Sequence, residues 1–167
     1  MVRQAESSLQ MRVAEYLCRQ YPEVLFHSDF GSGVKLSKIQ AVIQLRQNGY
    51  RRGWPDLLIA KPKRRDISVM IDFTAVDMNG KKFKPEIVVA NGLFLELKKD
   101  GETLFPGPRA KKRFLSLDGK EYKNEHLREQ ADVLFKLREE GYAAEFSIGF
   151  DETIKKIDEY LGGRNDI

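Results

Sequence analysis

The sequence predicts an α/β domain with a central mixed sheet flanked by helices. Three observations carry this reading. Apolar stripes at helical spacing occur near both ends, at Leu9, Val13 and Leu17 and again at Leu127, Ala131 and Leu134. Compact apolar runs suited to buried strands lie between them, at 56–60 and 93–98. Gly, Pro and Asn punctuate the joints, and strand and helix patterns alternate along the chain.

Taken in order, the first helix is expected over about Ser7 to Tyr21, with Ser7 or Ser8 as its cap and Pro22 as its stop. A short strand follows at 24–28, then a loop at 29–33. A second helix is expected after Ser37, with Ile39, Val42 and Ile43 at helical spacing and Gly49 at its end. Gly53-Trp54-Pro55 breaks the chain before the strand at 56–60, and Lys61 to Arg65 reads as a basic turn. Ile67, Val69, Ile71 and Phe73 alternate with more polar residues, which is strand periodicity. Asn79-Gly80 is a hairpin turn signal, and 85–90 is the expected partner strand. The strand at 93–98 comes next, and 99–123 reads as mostly loop. A helix is expected from Asn124 to Glu140, closed by Gly141, then a strand from Tyr142 to Ile148. Asp151 is the expected cap of a last helix that Gly162-Gly163 ends. All 167 residues fit one domain.

Composition narrows the class. Hydrophobic residues make up 41% and charged residues 32%, which argues against disorder. No apolar run approaches the ~20 residues of a membrane span, and the first six residues lack the apolar stretch of a signal peptide. The expectation is a soluble cytoplasmic protein. With one cysteine, Cys18, no internal disulfide and no cysteine-based zinc cage is possible, and Cys18 reads as core filler. The net charge of +4 is uneven. Residues 1–65 hold 12 basic and 5 acidic side chains, and residues 129–167 hold 5 and 10. A basic first third is compatible with a polyanion partner, although many basic proteins bind no nucleic acid.

Two places break the pattern of a comfortable core. Asp56 opens an apolar strand directly after Pro55, and Glu96 and Lys98 end another. Residues i and i+2 of a strand share a face, roughly 6.5–7 Å apart. Charges at the edge of a buried sheet persist when paired, hydrated or bound to a metal. A plain Glu96–Lys98 ion pair is one reading. The other is a Mg²⁺ or Mn²⁺ site with hard oxygen ligands from Asp56, Glu96 and the Leu97 carbonyl, beside which Lys98 orients a water or offsets developing charge.

The combination of Gly53-Trp54-Pro55-Asp56 with Leu95-Glu96-Leu97-Lys98, Glu129-Gln130-Ala131 and Gly141-Tyr142 resembles the VRR-NUC branch of the PD-(D/E)xK nuclease superfamily. The resemblance spans most of the chain. It implies a restriction-endonuclease-like αβββαβ core, against which about 66–91, an inserted β-hairpin, and 101–124, a basic loop, are insertions. It also implies a metal-dependent endodeoxyribonuclease, with Asp56, Glu96 and Leu97 as metal ligands and Lys98 as the catalytic lysine. Gln130 matches the helix glutamine of the family. Glu15 takes the place of its first-helix acidic residue, and its other reading is a solvated helix carboxylate. Small members of this kind tend to be homodimers acting on branched DNA, such as Holliday junctions or flaps, in the cytoplasm of a bacterium or a phage-infected host. The rival reading is a catalytically silent DNA-binding or phage replication or packaging protein on the same fold.

Several basic residues are candidates for phosphate contact. Lys35, Lys38, Arg51 and Arg52 flank the Asp56 segment, and Lys99, Arg109, Lys111, Lys112 and Arg113 follow Lys98. His27 reads as a hydrogen-bonded strand residue before it reads as a phosphate contact, and His126 as structural. Gly31-Ser32-Gly33 lacks the Gly-Lys-Ser/Thr of a P-loop. Trp54 either stacks on a base or packs beside Pro55.

Overall fold

The computed structural model describes residues 2–28, 43, 53–66, 75–76, 79, 82–83 and 86–162. Three long helices and ten strands are defined within them. Helix α1 (Val2–Gln20) leads into β1 (Phe26–Ser28), then β2 (Leu57–Ile59) and β3 (Lys63–Asp66). Next come β4 (Ala75–Val76), β5 (Lys82–Phe83), β6 (Glu86–Ala90) and β7 (Leu93–Lys98). Strands β8 (Phe114–Leu115) and β9 (Glu121–Tyr122) precede helix α2 (Glu125–Glu139), strand β10 (Ala143–Ile148) and helix α3 (Gly149–Leu161).

The central sheet has the order β1-β2-β7-β10. Its first three strands are antiparallel to their neighbours, and β10 runs parallel to β7. The parallel step needs a crossover, and α2 supplies it. Alternation along β7 sorts the two faces. Leu93, Leu95 and Leu97 point to one side and pack with Leu9, Val13 and Leu17 of α1 and Ile157 and Tyr160 of α3. Phe94 points to the other side and packs with Leu134 of α2 and Ala144 of β10. Glu96 and Lys98 share the Phe94 parity, so both project toward the α2 layer.

Helix α1 is clipped to α3 by polar contacts outside the apolar stripe. The Tyr16 and Tyr21 hydroxyls both donate to Asp158 Oδ1, at 2.7 and 2.8 Å. Strand β10 is a sheet edge. Ala143 N–H donates to Gly92 O, so residues 143, 145 and 147 face β7 and the alternate carbonyls face outward. Two of those outward carbonyls carry cationic caps. Arg138 Nη1 donates to Ala144 O at 2.7 Å, and Lys156 Nζ donates to Phe146 O at 2.6 Å.

The elements depart from the sequence expectation in definable places. Helix α1 starts at Val2, so Ser7 and Ser8 lie inside it rather than capping it. Lys63 to Asp66 is a strand rather than a turn, and it is the partner of β6. The segment 101–124 contains the β8–β9 hairpin where mostly loop was expected. Asp151 lies in the first turn of α3, two residues after the start, while Ile148 occupies the cap position without a side-chain bond. Asn124 does cap α2, accepting from Leu127 N at 2.9 Å, and Gly162 ends α3 in the left-handed conformation. Cys18 is exposed rather than core filler. The strand expected over 67–73 and the loop at 29–33 lie outside the described residues. So does the helix after Ser37, apart from Ile43, which is helical. No helix among the described residues is long and apolar enough to cross a membrane.

Candidate active site

Three structural elements converge where β2 begins and β7 ends. The loop before β2 reaches α2 through Gly53, whose φ is +81°. A Cβ there would lie 3.0 Å from Gln130 N and 3.1 Å from Gln130 Cα, so only glycine lets this loop cross the helix so closely. The crossing delivers Asp56 to the mouth of the sheet beside the last residues of β7. Trp54, in the same loop, is partly exposed and lies 6.3 Å from the Phe94 ring.

Asp56 is gripped by both of its neighbours. Gln10 Nε2 of α1 donates to Oδ1 at 2.8 Å, and Leu97 N–H donates to Oδ2 at 2.9 Å. Strand β2 pairs with β7 only as far as Leu57 opposite Leu95, so beyond that point the Asp56 carboxylate replaces a strand as the partner of Leu97 N–H. The N–H and C=O of one strand residue leave on the same side. The Leu97 carbonyl therefore leaves β7 on the Asp56 side.

Glu96 and Lys98 are 3% and 7% exposed, unusual burial for ionisable side chains. Lys98 Nζ donates to Glu96 Oε1 at 2.6 Å. Gln130 Nε2 of α2, 5% exposed, donates to the same oxygen. Glu96 Oε2 and Gln130 Oε1 are buried and accept no hydrogen bond from a donor. Burial, and then the Asp56 carboxylate beside it, push the Glu96 carboxyl well above its usual range, against the opposing pull of Lys98. Two carboxylates are thus held together, and one oxygen faces inward without a donor. That donor set fits a hard divalent cation, which would satisfy the free oxygen and relieve the repulsion between the carboxylates. Among the described residues no group of three His, Cys, Asp or Glu side chains has metal-binding geometry.

The other sequence-predicted residues fall in different places. Glu15 lies on the exposed face of α1. It is five positions from Gln10, a rotation of about 140° around the helix axis. The α1 residue that does reach Asp56 is Gln10, which sequence reasoning missed. No local pattern marks it, since its partner lies 46 residues away in sequence. Lys99 pairs with Glu102 at 3.5 Å, and Arg113 with Glu121 at 2.8 Å. Arg109, Lys111 and Lys112 are exposed. Lys35, Lys38, Arg51 and Arg52 lie outside the described residues. His27 is exposed on β1.

Comparison with known proteins places this fold. A solved structure titled "VRR_NUC domain protein" matches 95% of this chain and 88% of its own, with a TM-score of 0.50 and 20% sequence identity. The chain thus has the VRR-NUC type of restriction-endonuclease-like fold, a mixed sheet between helical layers. No family model and no curated protein matches the sequence.

Proposed function

We propose that this protein is a metal-dependent endonuclease that hydrolyses DNA phosphodiester bonds at the Asp56–Glu96–Lys98 site. One observation carries the reading. Glu96 is buried next to a second carboxylate with Oε2 accepting no hydrogen bond, and Lys98 Nζ lies against its other oxygen. A simple structural ion pair would not need the added carboxylate, whose presence works against ionisation of Glu96. Asp56, Glu96 and the Leu97 carbonyl would hold Mg²⁺ or Mn²⁺. When bound, the ion supplies Lewis-acid charge and lowers the pKa of water.

The chain's own residues do the rest. Gln10 and Leu97 N–H fix the Asp56 carboxylate, so it is preorganised rather than free to rotate. Gln130 and Lys98 fix Glu96 through Oε1 and leave Oε2 turned to the site. Lys98 places a positive charge where the phosphate would accumulate negative charge, and it is positioned to orient the attacking water. The exposed Arg109, Lys111 and Lys112 supply contacts to the phosphate backbone. Branched DNA, as a junction or a flap, is the proposed substrate, and a homodimer with two sites would allow paired cuts.

The test is a panel of linear duplex, flap, splayed and four-way junction DNAs incubated with Mg²⁺ or Mn²⁺. Cleavage is expected on the branched substrates, abolished by EDTA and restored by added metal. Equal cutting of all four substrates would remove the branched-DNA assignment. Binding without cutting under every condition would favour the silent DNA-binding reading. Light scattering with gel filtration checks the dimer.

A further inference from the structure

The segment 101–124 does more than link β7 to α2. Its β8–β9 hairpin is pinned to α2 by Asp132, which accepts from Ser116 Oγ at 2.7 Å and Leu117 N at 2.8 Å. Between this segment, α2 and the edge of β10 lies a cavity of about 460 Å³. That is within the ~300–1,000 Å³ range of small-ligand sites. Its rings include Phe105, Tyr122, Phe135 and Phe146. Three of them form a row: Phe105 to Tyr122 is 5.5 Å at 34°, and Tyr122 to Phe146 is 5.8 Å at 42°. The row ends at the candidate active site, because the Phe146 ring is 5.9 Å from Lys98 Nζ. Its outer member, Phe105, is 51% exposed.

We infer that this cavity receives an unpaired nucleobase of the DNA strand whose phosphate lies at Lys98. The inference rests on the nuclease reading for its substrate, and on the cavity itself for its chemistry. Charge in the lining is balanced, with Lys120 and Arg138 against Asp118 and Glu145. Those anions disfavour a phosphate and suit a neutral base. Three of these four charges also have partners: Tyr122 donates to Asp118, Arg138 to Ala144 O, and Lys156 to Glu145. Flat aromatic faces accept any base by stacking, and an unpaired base is available where a duplex is interrupted. The cavity would thus select DNA with a single-stranded element next to the cut, and the segment 101–124 supplies one wall of it.

The test measures binding in EDTA, so it does not depend on cleavage. Phe105→Ala removes the exposed ring without opening the core. It should weaken binding of DNA with a single-stranded arm about 5- to 150-fold, the range for one lost base stack, and leave fully paired duplex unchanged. Phe105→Trp should restore the affinity. An abasic nucleotide at the right position in the arm should cause the same loss in the wild type and no further loss in Phe105→Ala. Equal weakening for arm and duplex, or additive losses from the abasic site and the variant, would overturn the inference. If base discrimination is intact but no metal supports cutting, the cavity stands and the nuclease reading falls. If the protein cuts but shows no base discrimination, the nuclease reading stands and the base-binding cavity falls.

Discussion

Strands β6 and β7 are consecutive, similarly apolar in sequence and opposite in environment. In β6, Ile87, Val88 and Val89 are 46%, 48% and 41% exposed. In β7 every residue is buried, including Glu96 and Lys98. The difference is one of place. Strand β7 is flanked by β2 and β10 and covered by helices on both faces, while among the described residues β6 pairs with β3 in a two-stranded ribbon. Apolar character therefore does not decide burial here, and charge does not prevent it. The central strand accommodates Glu96 and Lys98 because they pair with each other and Gln130 donates to Glu96.

The largest test of this contrast is chemical. Asp56→Asn, Glu96→Gln or Lys98→Ala should each lower cleavage by about 10²–10⁴-fold while leaving duplex affinity nearly intact. Normal rates in all three, with metal present, would refute the site. Next in size is stability, read by urea denaturation. Leu95→Ala in β7 should cost about 2–5 kcal/mol, whereas Val88→Ala in β6 should stay within about 0.5 kcal/mol. Comparable losses would mean that the ribbon is packed as tightly as the sheet.

A smaller effect is expected on acidification. Burial raises the pKa of Asp132, but Leu117 N–H, the Ser116 hydroxyl and Arg128 outweigh it and hold the carboxyl below its ordinary 3.8. A depressed acid contributes stability that is present above its unfolded pKa and lost as pH falls through the folded value. Relative to the intrinsic rate at each pH, amide exchange in the β8–β9 hairpin should therefore quicken below about pH 4. It should already be fast at neutral pH in Asp132→Asn. The smallest effect concerns salt. Replacing Lys111 or Lys112 by Ala should flatten the salt dependence of duplex binding by roughly 0.9 log units per lost phosphate contact. Arg113→Ala should flatten it less, since Arg113 already pairs with Glu121. An unchanged slope in all three would make this segment a bystander.

Periodicity and punctuation made much of the fold legible. The Leu9–Val13–Leu17 stripe, the Asn124 cap, the apolar runs of β2 and β7 and the closing Gly162 all appear as sequence signals with a local cause. The positions of Asp56, Glu96 and Lys98 could be flagged, because charge at the end of an apolar strand is a local anomaly, whereas Gln130 stood out only through the family resemblance. Gln10 could not, because its role depends on a contact 46 residues away in sequence. Lys63 to Asp66 reads as a turn from its charges, yet it is a strand because β6 gives it a ladder to join. The β8–β9 hairpin escaped for a similar reason: two-residue strands have no periodicity, and Asp132 of α2 holds this one in place.

The cationic caps on β10 limit what the sheet can become. An open strand edge is a template on which a second chain, or a misfolded copy, can add another strand. Arg138 and Lys156 occupy the Ala144 and Phe146 carbonyls that such a strand would need. These bonds disfavour sheet growth on this side without a proline or a bulge. A dimer formed by joining two β10 edges would first have to displace both caps.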